Sequence, residues 1–539
     1  MNKLILAAGL TVSLAWVNLG SPAHPAGAAL PDDDKAIAHV LNRVGYGPRA
    51  GEVAKVRAIG VQTYIDQQLH PDHVADAGMN ARLEGLTTVG MSMSEIATRF
   101  EIPQLEMRRA RRQEAAQGKG QEEQTSPAPD MLRRGNQPIV ELSQQKVLRA
   151  IYSERQLQEV LADFWFNHFN VDARKGRDRF MLTEYEREAI RPHVLGRFRD
   201  LLEATAKSPA MLFYLDNWMS ADPNGPHVDS RVAAGRGFGR GPFGGRGFGP
   251  RQPGAANGQG NRAPRGLNEN YGRELMELHT LGVDGGYSQT DVTEVARAFT
   301  GWTIERPREG GGFRFEPRIH DPGEKLVLGH VIKAGGGQSD GEQVLDLLSR
   351  HPSTARFIAT KLVRRFVSDT PPASLVDRAA DRFRQTDGDL REVMRTILTS
   401  PEFFAPEVFR AKVKTPFEFI FSAARAAGAV VQDATPLVRS MQQLGMPLYL
   451  CQPPTGYKDT AEAWVNAGAL VNRMNVALAL ASGQMRGITV DVASADGRDI
   501  AARLLQRDVS ETTLATIDKA TTVPQRVALT LGAPEFQRR

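Results

Sequence analysis

Apolar residues recur at intervals of three and four along most of this 539-residue chain, the spacing of helices that bury one face. Residues 35–45 and 51–69 pattern as two helices about the turn Gly45-Tyr46-Gly47-Pro48. Ser153 and Gln156 read as a capping box ahead of a helix through Leu157, Val160, Leu161 and Phe164. Helical runs also cover 184–206, 269–281, 290–302, 341–427 and 460–483. The first of these should kink or restart at Arg191-Pro192-His193, because proline removes a backbone donor. Only Phe313 to Phe315 and Leu326 to Val331 read as strand, about a turn at His320-Asp321-Pro322-Gly323. The pattern predicts a mainly α protein: a large multi-helix domain with a small β-hairpin insertion and disordered polar insertions.

Two insertions interrupt the periodicity. Residues 110–136 are polar, with Arg pairs, Gln, Glu, Gly and Pro, and read as an exposed helix end with a loop or a disordered insertion. Residues 230–266 hold twelve Gly and seven Arg without Asp or Glu, a composition that cannot build a packed core. That stretch also accounts for the basic balance. Without its arginines the formal charge falls from +5 to −2, so the pI of about 9.2 describes an appendage more than the folded body. The organisation expected is a signal peptide over 1–28, a main helical domain over 33–482 and a C-terminal helical cap over 483–539.

Lys3, the apolar stretch from Leu4 to Leu19 and the small-residue site Ala26-Gly27-Ala28 read as a general secretory signal peptide. The apolar run is shorter than the ~20 residues of a spanning helix. The mature chain is therefore expected in the periplasm or outside the cell, with no transmembrane span. Cys451 is the one cysteine, which excludes an intrachain disulfide and Cys-based zinc or iron–sulfur sites. Its setting, Leu448-Tyr449-Leu450-Cys451, reads as an apolar element entering a turn.

The densest polar constellation runs from Leu267 to Gly282. Asn268 is a good N-cap and Gly282 a good C′ residue for one helix. At 100° per residue, Asn270, Glu274 and Glu277 share a face with Arg273 beside them, Tyr271, Leu275 and Leu278 form an apolar stripe, and His279 points away. Ser288 or Thr290 caps the next helix, where Asp291 and Glu294 lie beside Val295, Ala298 and Trp302. If the two helices form a hairpin across Gly282–Gly286, Glu274, Glu277, Asp291, Glu294 and Arg273 converge. Neighbouring carboxylates raise one another's pKa, which suits acid/base work, and such a cluster could jointly hold a divalent cation. The alternative is a structural ion-pair network neutralised by Arg273. His168 and Asn167, inside Phe164-Trp165-Phe166-Asn167-His168-Phe169-Asn170, must find partners within an aromatic run. His320-Asp321 reads as turn chemistry, and Gln452-Pro453-Pro454-Thr455-Gly456-Tyr457 as a rigid loop at a substrate rim. No G-x-S-x-G elbow, P-loop, HExxH or strand-linked GxGxxG occurs.

These residues resemble the marks of a bacterial family known as domain of unknown function 1800. The similarity runs through Gly266-Leu267-Asn268-Glu269-Asn270, Arg273-Glu274-Leu275, Glu277-Leu278-His279-Thr280-Leu281-Gly282-Val283, Gly286-Tyr287, Asp291-Val292 and Ala298-Phe299-Thr300-Gly301-Trp302. Phe164 to Phe169, Arg191-Pro192-His193, His320-Asp321, Ala411-Lys412-Val413-Lys414 and Pro453-Pro454-Thr455-Gly456-Tyr457 extend it over about residues 35–482. The resemblance implies a bacterial, usually exported, mostly helical protein, and it implies no reaction. Some members carry a second histidine where this chain has Phe166, so a His-x-His metal pair would lack half its ligands here.

Two functions follow as expectations. One is an exported hydrolase whose site is built from Glu274, Glu277, Asp291 and Glu294, with Arg273 and His168 nearby, acting on an unidentified substrate. The other is a non-catalytic envelope or extracellular binding protein, in which 230–266 contacts an anionic polysaccharide or envelope surface. The Gly-Arg repeats resemble single-stranded nucleic-acid binders, but a secreted address argues against that partner.

Overall fold

Asp33 opens the first helix, Asp34–Val44, by accepting from the Ala36 N–H at 2.8 Å. The computed structural model describes residues 30–116, 134–225, 266–490, 505 and 509–539. The expected signal peptide and nearly all of 230–266 lie outside the described residues, as does 117–133 within the first polar insertion. The part of that insertion that is described continues the helix Ile102–Ala116 and, beyond it, leads into Gln137–Tyr152.

Helices dominate as the periodicity predicts. Glu52–Ile59 and Val61–Leu69 follow the first helix, and Gln156–His168 packs against Gln137–Tyr152. The run over 184–206 divides as its proline dictates, into a π-helical Tyr185–Ile190, a 3₁₀ turn Arg191–His193 and the helix Phe198–Lys207. Gln338–Arg350, Pro352–Phe366, Ala373–Gln385 and Leu390–Leu398 form a consecutive series. Trp165, Phe169, Phe198, Phe299, Trp302 and Phe366 are fully buried between these layers. No helix among the described residues is long and apolar enough to cross a membrane.

Two local expectations are corrected. Ser153 does not cap a helix with Gln156: its hydroxyl donates to Asp76 Oδ2 at 2.8 Å, and the helix begins at Gln156 itself. The strands on either side of His320–Gly323 do not pair with each other. β1 (Trp302–Ile304) pairs antiparallel with β2 (Phe313–Phe315), and β3 (Lys325–Val327) with β4 (His330–Ile332). A third pair joins β5 (Val430–Val431) to β6 (Ile488–Thr489). The reason is local: Leu328 and Gly329, with φ of 50° and 79°, make the tight turn inside the second apolar run. His320–Gly323 is instead part of a bracket about the buried Asp340. Lys325 Nζ donates to the carbonyls of Asp321 and Gly323 and to Asp340 Oδ2 at 2.7 Å, and His320 Nε2 lies 3.1 Å from the same oxygen.

The C-terminal segment returns to the body. Val413 and Arg538 form an antiparallel bridge, with Lys414 N donating to the Gln537 carbonyl and Arg539 N to that of Lys412, each at 2.8 Å.

Candidate functional site

Asn167 ties two of the sequence motifs into one unit. Its Oδ1 accepts from the Tyr457 N–H at 2.7 Å and its Nδ2 donates to the Tyr457 carbonyl at 2.8 Å. Asn170 Nδ2 donates to the carbonyls of Cys451 and Pro453, both at 2.9 Å. Gly456 has φ +74°, and a Cβ there would fall 2.2 Å from the Asn167 carbonyl oxygen, so only glycine lets the loop approach the helix. Cys451 is buried beside it and burial pushes its thiol up to about 11, so it serves as packing, not as a nucleophile.

Directly after Asn167, His168 ends the same helix almost fully buried. Its Nε2 lies 3.1 Å from the carbonyl oxygen of His279. A carbonyl can only accept, so the proton sits on Nε2 and Nδ1 is left bare. Nδ1 faces the ammonium of Lys361, from Pro352–Phe366, at 2.7 Å and accepts a hydrogen bond from it. Burial and the Lys361 charge hold His168 far below the ordinary imidazole range, so it stays neutral. Burial and the neighbouring Arg364 bring Lys361 down to about 8, with Asp459 opposing.

The pair stands in the wall of a cavity of about 300 Å³, into which Asp163, Asn167, Arg364, Tyr457 and Asp459 also face. That volume is at the lower end of small-molecule sites. Burial raises the Asp163 carboxyl, and Lys146 at 3.4 Å restrains the rise. Arg364 Nε has no acceptor among the described residues. The cavity therefore holds a lysine lowered toward neutrality, a carboxyl raised toward it, and an unengaged guanidinium donor.

The carboxylates singled out in the sequence are disposed differently. The two helices do pack, with Gly272 so near Val292 that a Cβ would come within 2.8 Å of its carbonyl oxygen. Asn268 caps the first, and Ser288 with Asp291 forms a capping box on the second. Asp291 is occupied by that cap and by the Leu328 N–H, at 2.7 Å. Glu294 is held by Arg297, which also forks onto Asp321 Oδ2 at 2.7 Å. Arg273 donates to Gln289 Oε1, not to a carboxylate. Glu274 and Glu277 alone remain neighbours, and burial together with the Glu277 charge raises Glu274 to about 7. Glu277 accepts from the Tyr287 hydroxyl at 3.4 Å.

None of these four carboxylates lines the His168 cavity. Among the described residues no three His, Cys, Asp or Glu side chains gather as metal ligands, so the joint cation site expected of the four is not formed there.

Part of the difference is helical geometry. Leu275–Thr280 is π-helical, with the Leu281 N–H bonded to the Met276 carbonyl five residues back. The wider turn breaks the 100° spacing and buries Met276, His279 and Thr280 while Leu278 moves to the edge. It also presents the His279 carbonyl to His168.

Lys361, Asp163 and Arg364 were not visible as a site in the sequence. Lys361 sits between Ile358-Ala359 and Leu362-Val363, where a long cation reads as the wet side of an amphipathic helix. The one available signal was Asp163 directly before the aromatic run, on a helix otherwise apolar through Val160, Leu161 and Phe164. Arg191 and His320, by contrast, are structural: Arg191 grips buried Glu159 with both terminal nitrogens at 2.9 and 2.6 Å, and His320 belongs to the Asp340 bracket.

Comparison with curated proteins and with solved structures returns no match for this chain. A family model described as protein of unknown function (DUF1800) matches residues 39–538, which takes in the Asn167–Tyr457 strap, the His168–Lys361 pair and the C-terminal bridge. The chain is a member of the DUF1800 family.

Proposed function

We propose that the protein is an exported hydrolase working by acid–base catalysis in the His168 cavity. The observation that carries this reading is the 2.7 Å contact between Lys361 Nζ and the bare Nδ1 of His168 in the wall of a ligand-sized cavity. Lys361 titrates near 8, so its neutral amine is accessible close to physiological pH and takes a proton from an attacking water. Asp163 faces the same cavity and is assigned as the group that passes a proton to the leaving group. His168 acts as a positioning residue: tied to the His279 carbonyl, it fixes the lysine from the other side. Arg364 donates toward an oxygen that gains negative charge. Export rests on the Leu4 to Leu19 run and the Ala26-Gly27-Ala28 site.

A panel of chromogenic esters, phosphoesters, glycosides and amides tests the reading with wild type, Lys361→Met and Asp163→Asn. Loss of a general acid/base group lowers turnover by roughly 10²–10⁴-fold, and we expect losses in that range from each variant. No hydrolysis of any class by the wild type, or full activity in a folded Lys361→Met, overturns it.

A non-catalytic binding protein is the second reading. It is favoured by the internal engagement of Asn167, Arg191 and His320, each satisfied by a structural partner. On that reading residues 230–266 would supply contact with an anionic polysaccharide or envelope surface.

A further inference from the structure

The strongest uncommitted feature outside the His168 cavity is a second, smaller cleft of about 70 Å³ between the first helix and the C-terminal residues, faced by Lys35, His39, Lys414, Phe536, Arg538 and Arg539. Lys414 is 3% exposed, yet its ammonium makes no hydrogen bond or ion pair among the described residues. Its ammonium lies over the face of Phe536, 3.8 Å from Nζ to the ring centre. Its tip is not among the fully enclosed unpartnered atoms, so the ammonium opens onto the cleft, and a largely buried cation there is costly unless something in the cleft accepts from it.

The surrounding charges do not resolve the cost. Lys414 sits in the field of Arg539, Arg410 and Arg473, with Glu418 as the opposing charge. Glu418 is already engaged by Arg365 Nη1 at 2.7 Å, Arg539 Nε at 2.9 Å and the Thr415 N–H at 2.9 Å. Glu535 borders the cleft, but its two oxygens accept from the Ser510 N–H and the Thr513 hydroxyl. Arg473 is spent on Gln537 Oε1 and the Lys414 carbonyl. Burial, with the nearby arginines adding to it and Glu418 opposing, brings Lys414 down to about 7.

We propose that this cleft is a binding site for a tetrahedral oxyanion of the phosphate or sulfate class, held by Lys414 with Arg538 at its rim. The volume is that of two to three waters, enough for such an ion or for the phosphoryl end of a larger molecule, and too small for a sugar or a base. The site is independent of the hydrolase reading.

The test is calorimetric titration of the full chain, in chloride buffer, with inorganic phosphate, sulfate and phenyl phosphate. We expect saturable binding of at least one ion, weakened about tenfold or more in Lys414→Met, since a charge-assisted contact of this kind is worth at least 1.4 kcal/mol. Binding of phenyl phosphate as well identifies the terminus of a larger molecule as the occupant; binding of the free ions alone identifies a closed ion site. Either supports the proposal. Absence of saturable binding for all three, or unchanged affinity in a folded Lys414→Met, overturns it. Should that variant fail to fold, lysine-selective NMR of the wild type decides. Phosphate must shift the Lys414 side-chain resonance, and an unmoved resonance overturns the site.

Discussion

Asn167 engages both backbone polar groups of Tyr457, accepting from its N–H at 2.7 Å and donating to its carbonyl at 2.8 Å. One amide side chain thus does what a neighbouring β-strand would do, and fixes the loop that rims the His168 cavity.

Asn167→Ala leaves that N–H and carbonyl without their partner. We expect a loss of about 1–3 kcal/mol, the cost of unsatisfied semi-buried groups, and faster amide exchange at Tyr457 and Gly456 with the remaining core protected. Unchanged exchange in the loop would show that other contacts hold it.

The Asp340 bracket predicts a strong asymmetry between single and double changes. Lys325 and Asp340 have fully buried side chains 2.7 Å apart. Lys325→Met strands the carboxylate, and breaking one side of a buried pair costs roughly 3–5 kcal/mol. Lys325→Met with Asp340→Leu should recover much of that loss in a denaturation titration. A double variant no better than the single would contradict the account.

How far the sequence went can be read from these residues. Helical periodicity located most elements, the proline at 192 marked the break between Ile190 and Phe198, and Asn268 and Ser288 cap helices as their side chains suggest. The family resemblance and the mainly α fold hold. The site was less legible, for two physical reasons. A π-turn at Leu275–Thr280 altered which side chains of the Glu274 helix face inward, and nothing in a local pattern announces an i→i+5 bond. The second reason is distance along the chain: His168 and Lys361 meet across 193 residues, and neither stretch alone suggests the pairing. His168 stands out within an aromatic run, whereas Lys361 carries no such mark.

Glu274 offers a pH test on the carboxylate pair. Its pKa of about 7 lies above the ordinary 4.5, so the folded chain retains a proton that the unfolded chain loses across that window. Its contribution to stability is complete below pH 4.5 and is lost as pH rises through 7. Glu274→Gln imitates the protonated form, so its melting temperature relative to wild type should increase between pH 5 and pH 8. An offset independent of pH would show that Glu274 titrates normally.

The central claim is that Lys361, held by His168, moves protons in the cavity. The most direct measurement is the pH dependence of kcat/KM for a substrate identified by the hydrolysis panel. With Lys361 near 8 as the proton-transferring group, the pH profile should carry an inflection near pH 8. In Lys361→Met that inflection should vanish with most of the rate, while the circular dichroism stays that of wild type. A folded Lys361→Met that keeps both the rate and the inflection would contradict the account.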